Sequence, residues 1–442
     1  MRLFSQLSLS LLLVFGVNAQ LQNVLDSIDP WPPGPGNVLR AQTPNAELTQ
    51  MLNQIDPNRI KAIINKLVSF GTRHTLSNQT DPVRGIGAAR DWIAAEMRSY
   101  AAASNGRMTV TVPSYVQQPT GRIPNATVIS NIVATLKGSK EPNRVYVVSG
   151  HYDSRVSDVL NAVSDAPGAD DDASGVAVSM ELARVMASHQ PAATIMFAVV
   201  AGEEQGLFGS NFMATTLKQQ GVDVQGMLDN DIVGSSKADD GTVAPFDIRM
   251  FASGLPPSNT ASQNSNLASI GGENDIRTIY RPDRFLRGGD QSSFLSQGFA
   301  AVRFTEPHEN FAHQHQDVRI VNGVQFGDLA EFVDFDFVAR VAKVNGATLW
   351  SLAQAPGTPK NVVIDTSNLT NNSTLKWTAD PAADGGYEIV WRQTDEPQWS
   401  RVIPVGSVNT ANVKLSKDNV QMGVRAVGKN GFKSPAAFPS PN

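Results

Sequence analysis

The sequence predicts an α/β protein, a mixed and mainly parallel sheet sandwiched by helices, followed by a smaller all-β sandwich. Three observations carry this reading. Short β-branched runs alternate with stretches of helical periodicity from residue 108 onward, and a strand, helix, strand succession closes into parallel pairing. Beyond Ala355 the helical period stops and only alternating apolar and polar runs remain. A chain of 442 residues also exceeds what one hydrophobic core usually organises.

Taken in order, Arg2 precedes an apolar run over residues 7–17 and a small residue at Ala19, so residues 1–19 read as a signal peptide cut after Ala19. The run is shorter than the roughly 20 residues that span a bilayer, and no second one follows. The proline-rich stretch 29–36 opposes regular structure, which makes 20–45 a linker or propeptide. The folded region is expected from Ala46. Apolar residues at helical spacing, among them Ala89, Trp92, Ile93 and Met97, predict helices over 60–70 and 88–100. Strands are expected over 108–112, 127–136 and 145–149, a helix over 174–188, a strand over 194–200 and a helix over 209–219. Further strands at 227–233, 248–252 and 300–304 lead to a closing helix at 329–353, so the larger domain is 46–355. Pro356-Gly357-Thr358-Pro359 then opens a β-sandwich over 356–442, with strands at 361–364, 374–377, 387–392 and 421–427.

Composition narrows the function. With 41 acidic and 36 basic side chains there is no overall attraction to nucleic acid or anionic membrane, and neither is expected as a partner. The absence of cysteine excludes disulfides, thiolate metal ligands and a cysteine nucleophile. Asn78, Asn125, Asn368, Asn371 and Asn372 open glycosylation triplets, which export would make usable.

Carboxylates and imidazoles crowd where strands should end: His151-Tyr152-Asp153, Asp170-Asp171-Asp172, Glu203-Glu204, Asp229-Asn230-Asp231 and His313-Gln314-His315-Gln316-Asp317. Loops at the carboxyl ends of parallel strands converge on one crevice, so these distant segments can share a site. His151 emerges at a strand end with Asp153 on the same side to orient it. One aspartate of the triplet can cap the following helix, but three successive carboxylates repel unless a cation compensates. Adjacent Glu203 and Glu204 point in different directions, so one can hold metal while the other acts as a base.

These segments resemble the co-catalytic zinc aminopeptidases and related exopeptidases. The resemblance spans 57–353 and rests on Pro167-Gly168-Ala169-Asp170-Asp171-Asp172-Ala173-Ser174-Gly175 and Gly202-Glu203-Glu204-Gln205-Gly206-Leu207-Phe208-Gly209-Ser210, in order after His151-Tyr152-Asp153. It implies two Zn2+ ions per chain, held by His151, Asp171 as bridge, Glu204, Asp231 and His313. Glu203 would be the general base toward a zinc-activated bridging water, with Asp153 and Asp317 behind the ligands. His313 is preferred over His315 and His308 because the family pattern sets an aspartate four residues after the histidine. The charge balance agrees: three carboxylates offset three of four positive charges and leave room for one hydroxide. Where the family often carries Ser-Asp-His, this chain has Asp290-Gln291, either a pocket wall or a helix N-terminus capped by Asp290. The segment 356–442 resembles a fibronectin type III module with Trp377 in its core, of a kind that engages an extracellular partner. The expected function is a secreted di-zinc peptidase acting at a chain terminus, an aminopeptidase, on peptide or protein substrates. A carboxypeptidase or other amide hydrolase on the same site, or a non-catalytic surface binding protein, are the competing readings.

Overall fold

A computed structural model describes residues 34–253, 275–396 and 398–442. The expected signal peptide lies outside them, as do residues 20–33.

An eight-stranded sheet organises the larger domain. Its order is Asp275–Tyr280, Asp247–Ala252, Ala301–Thr305, Asp223–Asn230, Glu141–His151, Ala193–Val200, Ile132–Leu136 and Met108–Thr111. The four central strands run parallel, and antiparallel pairings flank them. Side chains two residues apart share a face, so the central strands split their apolar residues between two cores. Tyr146, Val148, Ile195, Phe197 and Val199 enter the larger one, Val145, Val147, Ala198 and Val200 the smaller.

The helix Ala173–Met186 packs on the larger core beneath Pro57–Val68 and Phe335–Gln354. Covered on both sides, it is buried at every position but Arg184, and most of its side chains are accordingly small or apolar. Phe208–Gln219 and Gln291–Ser296 cover the opposite side, with Met213, Leu217 and Phe294 in the smaller core. Caps set the helix starts. Asp56 accepts the Asn58 N–H at 2.8 Å ahead of Pro57, and Asp334 accepts the Phe337 N–H at 2.9 Å. That second cap explains why the closing helix starts at Phe335, behind a short 3-10 turn, rather than near residue 329. The strand expected over 127–136 is broken at Asn131, whose side chain binds the Ala201 N–H and the Gly209 carbonyl.

After the closing helix the chain is all-β, with two four-stranded sheets over a core containing Leu375, Trp377, Tyr387, Ile389 and Val424. Part of the region read as an irregular linker belongs here. Asn37–Val38 pairs antiparallel with Arg401–Gly406, and the Trp391 Nε1–H donates to the Pro35 carbonyl at 2.8 Å. A proline-flanked extended segment has its backbone groups free, which suits it to completing a sheet edge. The β region meets the larger domain through Gln225 Oε1, which accepts the Thr358 N–H, and through Asn430 Nδ2, which donates to the Gln354 carbonyl. Among the described residues, no helix is long and apolar enough to cross a membrane.

Candidate metal centre

Three parallel strands deliver the first groups to one end of the sheet. His151 is the last residue of Glu141–His151, Glu203 and Glu204 follow Ala193–Val200, and Asp231 follows Asp223–Asn230. The strand before His151 lies hard against the helix behind it: a Cβ on Gly150 would come within 2.4 Å of the Gly175 backbone. Ile232, directly after Asp231, sits at φ 60°, a costly conformation for a β-branched residue. Its carbonyl is held by the Glu306 N–H and the Thr305 hydroxyl, which together fix the turn.

The three successive aspartates face three ways. Asp170 accepts the Gly234 N–H at 2.6 Å, tying this loop to the one after Asp231. Asp172 caps the following helix through the Gly175 N–H at 2.9 Å and also accepts the His151 N–H at 2.8 Å. Asp171 alone turns toward both histidines of the cluster, with Oδ1 3.2 Å from His151 Nε2 and Oδ2 2.8 Å from His315 Nε2. Asp153 lies behind His151: its carbonyl is 3.1 Å and its Oδ1 3.5 Å from Nδ1. The same carboxylate accepts the backbone N–H groups of Glu203 and Glu204, so it positions the histidine and the acidic pair together.

The second imidazole is His315 and not His313. His315 Nε2 lies 2.9 Å from Glu204 Oε1, whereas His313 stacks on Phe332 with ring centroids 3.8 Å apart. The physical reason is the loop itself. His315 takes φ 57°, and that left-handed turn redirects its side chain inward. Asp317 is likewise misplaced by the sequence reading: half-exposed, it neighbours Arg319 at 3.9 Å and does not back either histidine. A carboxylate does support the aspartate loop: Asp328 accepts the N–H groups of Asp170 and Asp171 at 2.8 Å each.

Two overlapping triads result, His151, Asp171 and Asp231 on one side and Asp171, Glu204 and His315 on the other, with donor atoms within 4.8 Å of one another in each. His151 Nε2 and Glu204 Oε1 are buried without a well-directed hydrogen bond. Orphaned, inward-facing donors of nitrogen and carboxylate type fit a pair of divalent ions of zinc's character. Without metal, protons do that work. Burial disfavours a charged His315, but Glu204 and Asp171 outweigh it and raise its pKa to about 10. His151 is likewise held well above its ordinary value against its own burial, by Asp153, Asp171 and Asp231. Burial drives Glu203 well above the usual carboxylate range, with Asp231 and Glu204 adding to the effect and His151 opposing it.

The sequence pattern of Peptidase family M28 matches residues 131–322, which include every member of both triads. A protein of Pyricularia oryzae named "Probable zinc metalloprotease" is 56% identical over 443 residues, covering 93% of this chain and 88% of its own length. One of the same name from Pyrenophora teres f. teres is 55% identical over 437 residues, covering 93% and 90%. The chain belongs to peptidase family M28. It is a zinc metalloprotease. Among solved structures, the LapA aminopeptidase of Legionella pneumophila aligns over 75% of this chain and 81% of its own at TM-score 0.52 and 17% identity. An aminopeptidase from Aneurinibacillus sp. strain AM-1 aligns over 70% and 96% at TM-score 0.50 and 17% identity. At that identity the likeness establishes a shared fold.

Several groups around this M28 site escaped the sequence reading. Arg73, fully buried, donates to the carbonyls of Tyr152, Pro167 and Gly168 and so fastens the His151 loop to the aspartate loop. Arg155 donates from Nε to Glu204 Oε2 at 2.8 Å, and its Nη2 lies 2.6 Å from His315 Nδ1. Arg303, also fully buried, pairs with Asp231 Oδ1 at 2.8 Å. Asp290 does not cap its helix. Its carboxylate is buried near the site, while the Gln291 amide donates to Asp283 Oδ2 at 2.8 Å. Of the glycosylation triplets, Asn78, Asn125, Asn368 and Asn371 are exposed and Asn372 is half-buried.

Proposed function

We propose that this protein is a secreted exopeptidase, an aminopeptidase, that works with two zinc ions. The observation that carries the reading is the pair of triads sharing Asp171: six ligand positions drawn from five side chains, three in each triad. His151, Asp171 and Asp231 would hold one ion, and Asp171, Glu204 and His315 the other. Two zinc ions held there would supply positive charge that acidifies a water and polarises the scissile carbonyl.

The protein's own groups do the rest. Glu203, beside Glu204 and outside both triads, takes the proton of the attacking water and returns it to the leaving amine nitrogen. Asp153 keeps His151 and the Glu203-Glu204 turn in register, and Arg303 offsets the charge of Asp231. Action at the amino terminus is supported by the aminopeptidases that share the fold, and export by the apolar run of residues 7–17 ahead of Ala19. Exposed asparagines in four glycosylation triplets suit an exported chain.

The test is digestion of one defined peptide with free and with blocked ends, read by mass spectrometry, beside zinc counting on the purified protein. Stepwise loss of residues from a free amino end, with two zinc ions per chain, is the expected result. Loss from the carboxyl end, or a single zinc, would overturn the corresponding part of the reading.

A further inference from the structure

The histidine of the second triad stands in an irregular loop rather than at a strand end, so something other than sheet geometry must hold it. Glu309, at the start of that loop and almost fully buried, receives three guanidinium groups. Arg249 reaches it at 2.9 Å, Arg284 at 3.1 Å, and Arg287 pairs with it as well. These arginines pull its pKa down to about 2 against the effect of burial. Arg249 belongs to the strand Asp247–Ala252, and the other two to the segment between Tyr280 and the helix Gln291–Ser296. Glu309 therefore fixes the loop to the scaffold at three points.

Gln314 passes that fixation on. Its Nε2 donates to Glu309 Oε2 at 3.0 Å, and its Oε1 accepts from Arg287 Nη2 at 2.7 Å. A carboxylate on one side and a guanidinium on the other allow the amide one orientation only. The next residue is His315, whose left-handed backbone persists only if its neighbours over-determine it.

We infer that Gln314, gripped between Glu309 and Arg287, is a positioning residue that sets His315 in place and thereby the affinity of the Asp171, Glu204 and His315 position for its metal. The inference rests on the two-metal reading above. Supporting groups behind a metal ligand are worth roughly 10–100-fold in metal affinity. The effect is expected at one position, because the Gln314 amide bonds Glu309 and Arg287, whereas His151 and Asp231 stand at the ends of sheet strands.

The experiment is a zinc competition titration against a chromophoric chelator, on the wild-type protein and on Gln314→Met, which keeps the side chain's size and removes both polar ends. Glu309→Gln serves as a second variant. The expected result is two tightly held ions in the wild type, and in each variant one unchanged and one weakened by roughly 10–100-fold. Two unchanged affinities in both variants overturn the assignment, as does equal weakening of both positions, which would mark general loosening. A wild type that holds one ion overturns the two-metal reading itself, and this inference falls with it.

Discussion

Replacing Arg73 with methionine tests whether the loops of the centre are held from below by one buried cation. Arg73 gives hydrogen bonds to three carbonyls, at 2.7 Å to Tyr152, 2.6 Å to Pro167 and 2.8 Å to Gly168. Gly168 keeps the Ala173 N–H as a partner, so the variant strips the donor from two buried carbonyls. Each such loss costs roughly 1–3 kcal/mol. Part is offset because the guanidinium is itself unfavourable there: burial presses its pKa down to about 10, although Asp328, Asp153 and Asp172 oppose that. The net loss is roughly 2–4 kcal/mol, or about 3–6 °C in melting temperature for a domain of this size. Melting followed by circular dichroism should be done on chelated protein, since bound zinc would stabilise the folded state by mass action. A variant that melts within about 2 °C of the wild type would refute the reasoning.

Three further outcomes are expected. Glu203→Gln keeps its full zinc content and loses roughly 10²–10⁴-fold in turnover, measured on amino-acid amides; normal turnover would remove Glu203 from the mechanism. His315→Ala loses one of two zinc ions, whereas His313→Ala keeps both and costs only its stacking on Phe332, about 1 kcal/mol, a contrast read by metal analysis after dialysis. In chelated protein, stability falls as pH rises. His315 moves from 6.5 to about 10 on folding and Asp170 from 3.8 to about 8, so the folded state binds the extra protons. The His315 contribution is complete below pH 6.5 and gone above about 10, and that of Asp170 is complete below 3.8 and gone above about 8. A melting temperature that climbs between pH 6.5 and 10 without metal would contradict these directions.

The parts of the centre legible in the sequence are those placed by regular structure. His151 and Asp231 sit at strand ends, and Asp171 lies one residue before a helix cap, so hydrophobic runs and capping residues point to them. His313 and His315 differ by two positions in a loop of irregular backbone, where spacing says nothing about which ring faces inward. A single left-handed residue decides it. Arg73 and Asp328 were invisible for another reason. Each lies far along the chain from the loop it supports, and an isolated arginine or aspartate carries no local pattern. The segment 20–45 misled in the opposite sense at Asn37–Val38, because composition reports what a segment cannot form alone and not what it can add to.

The pairing of Asn37–Val38 has a consequence for handling the protein. Asn37–Val38 covers the outer side of Arg401–Gly406, so the first described residues and the last domain close into one unit. Trimming the chain back to Ala46 would bare a row of unpaired amides and carbonyls and leave the Trp391 indole without its acceptor. A shortened preparation would then be sticky at a bared sheet edge, and its self-association would reflect a missing ribbon, not a defective hydrolase.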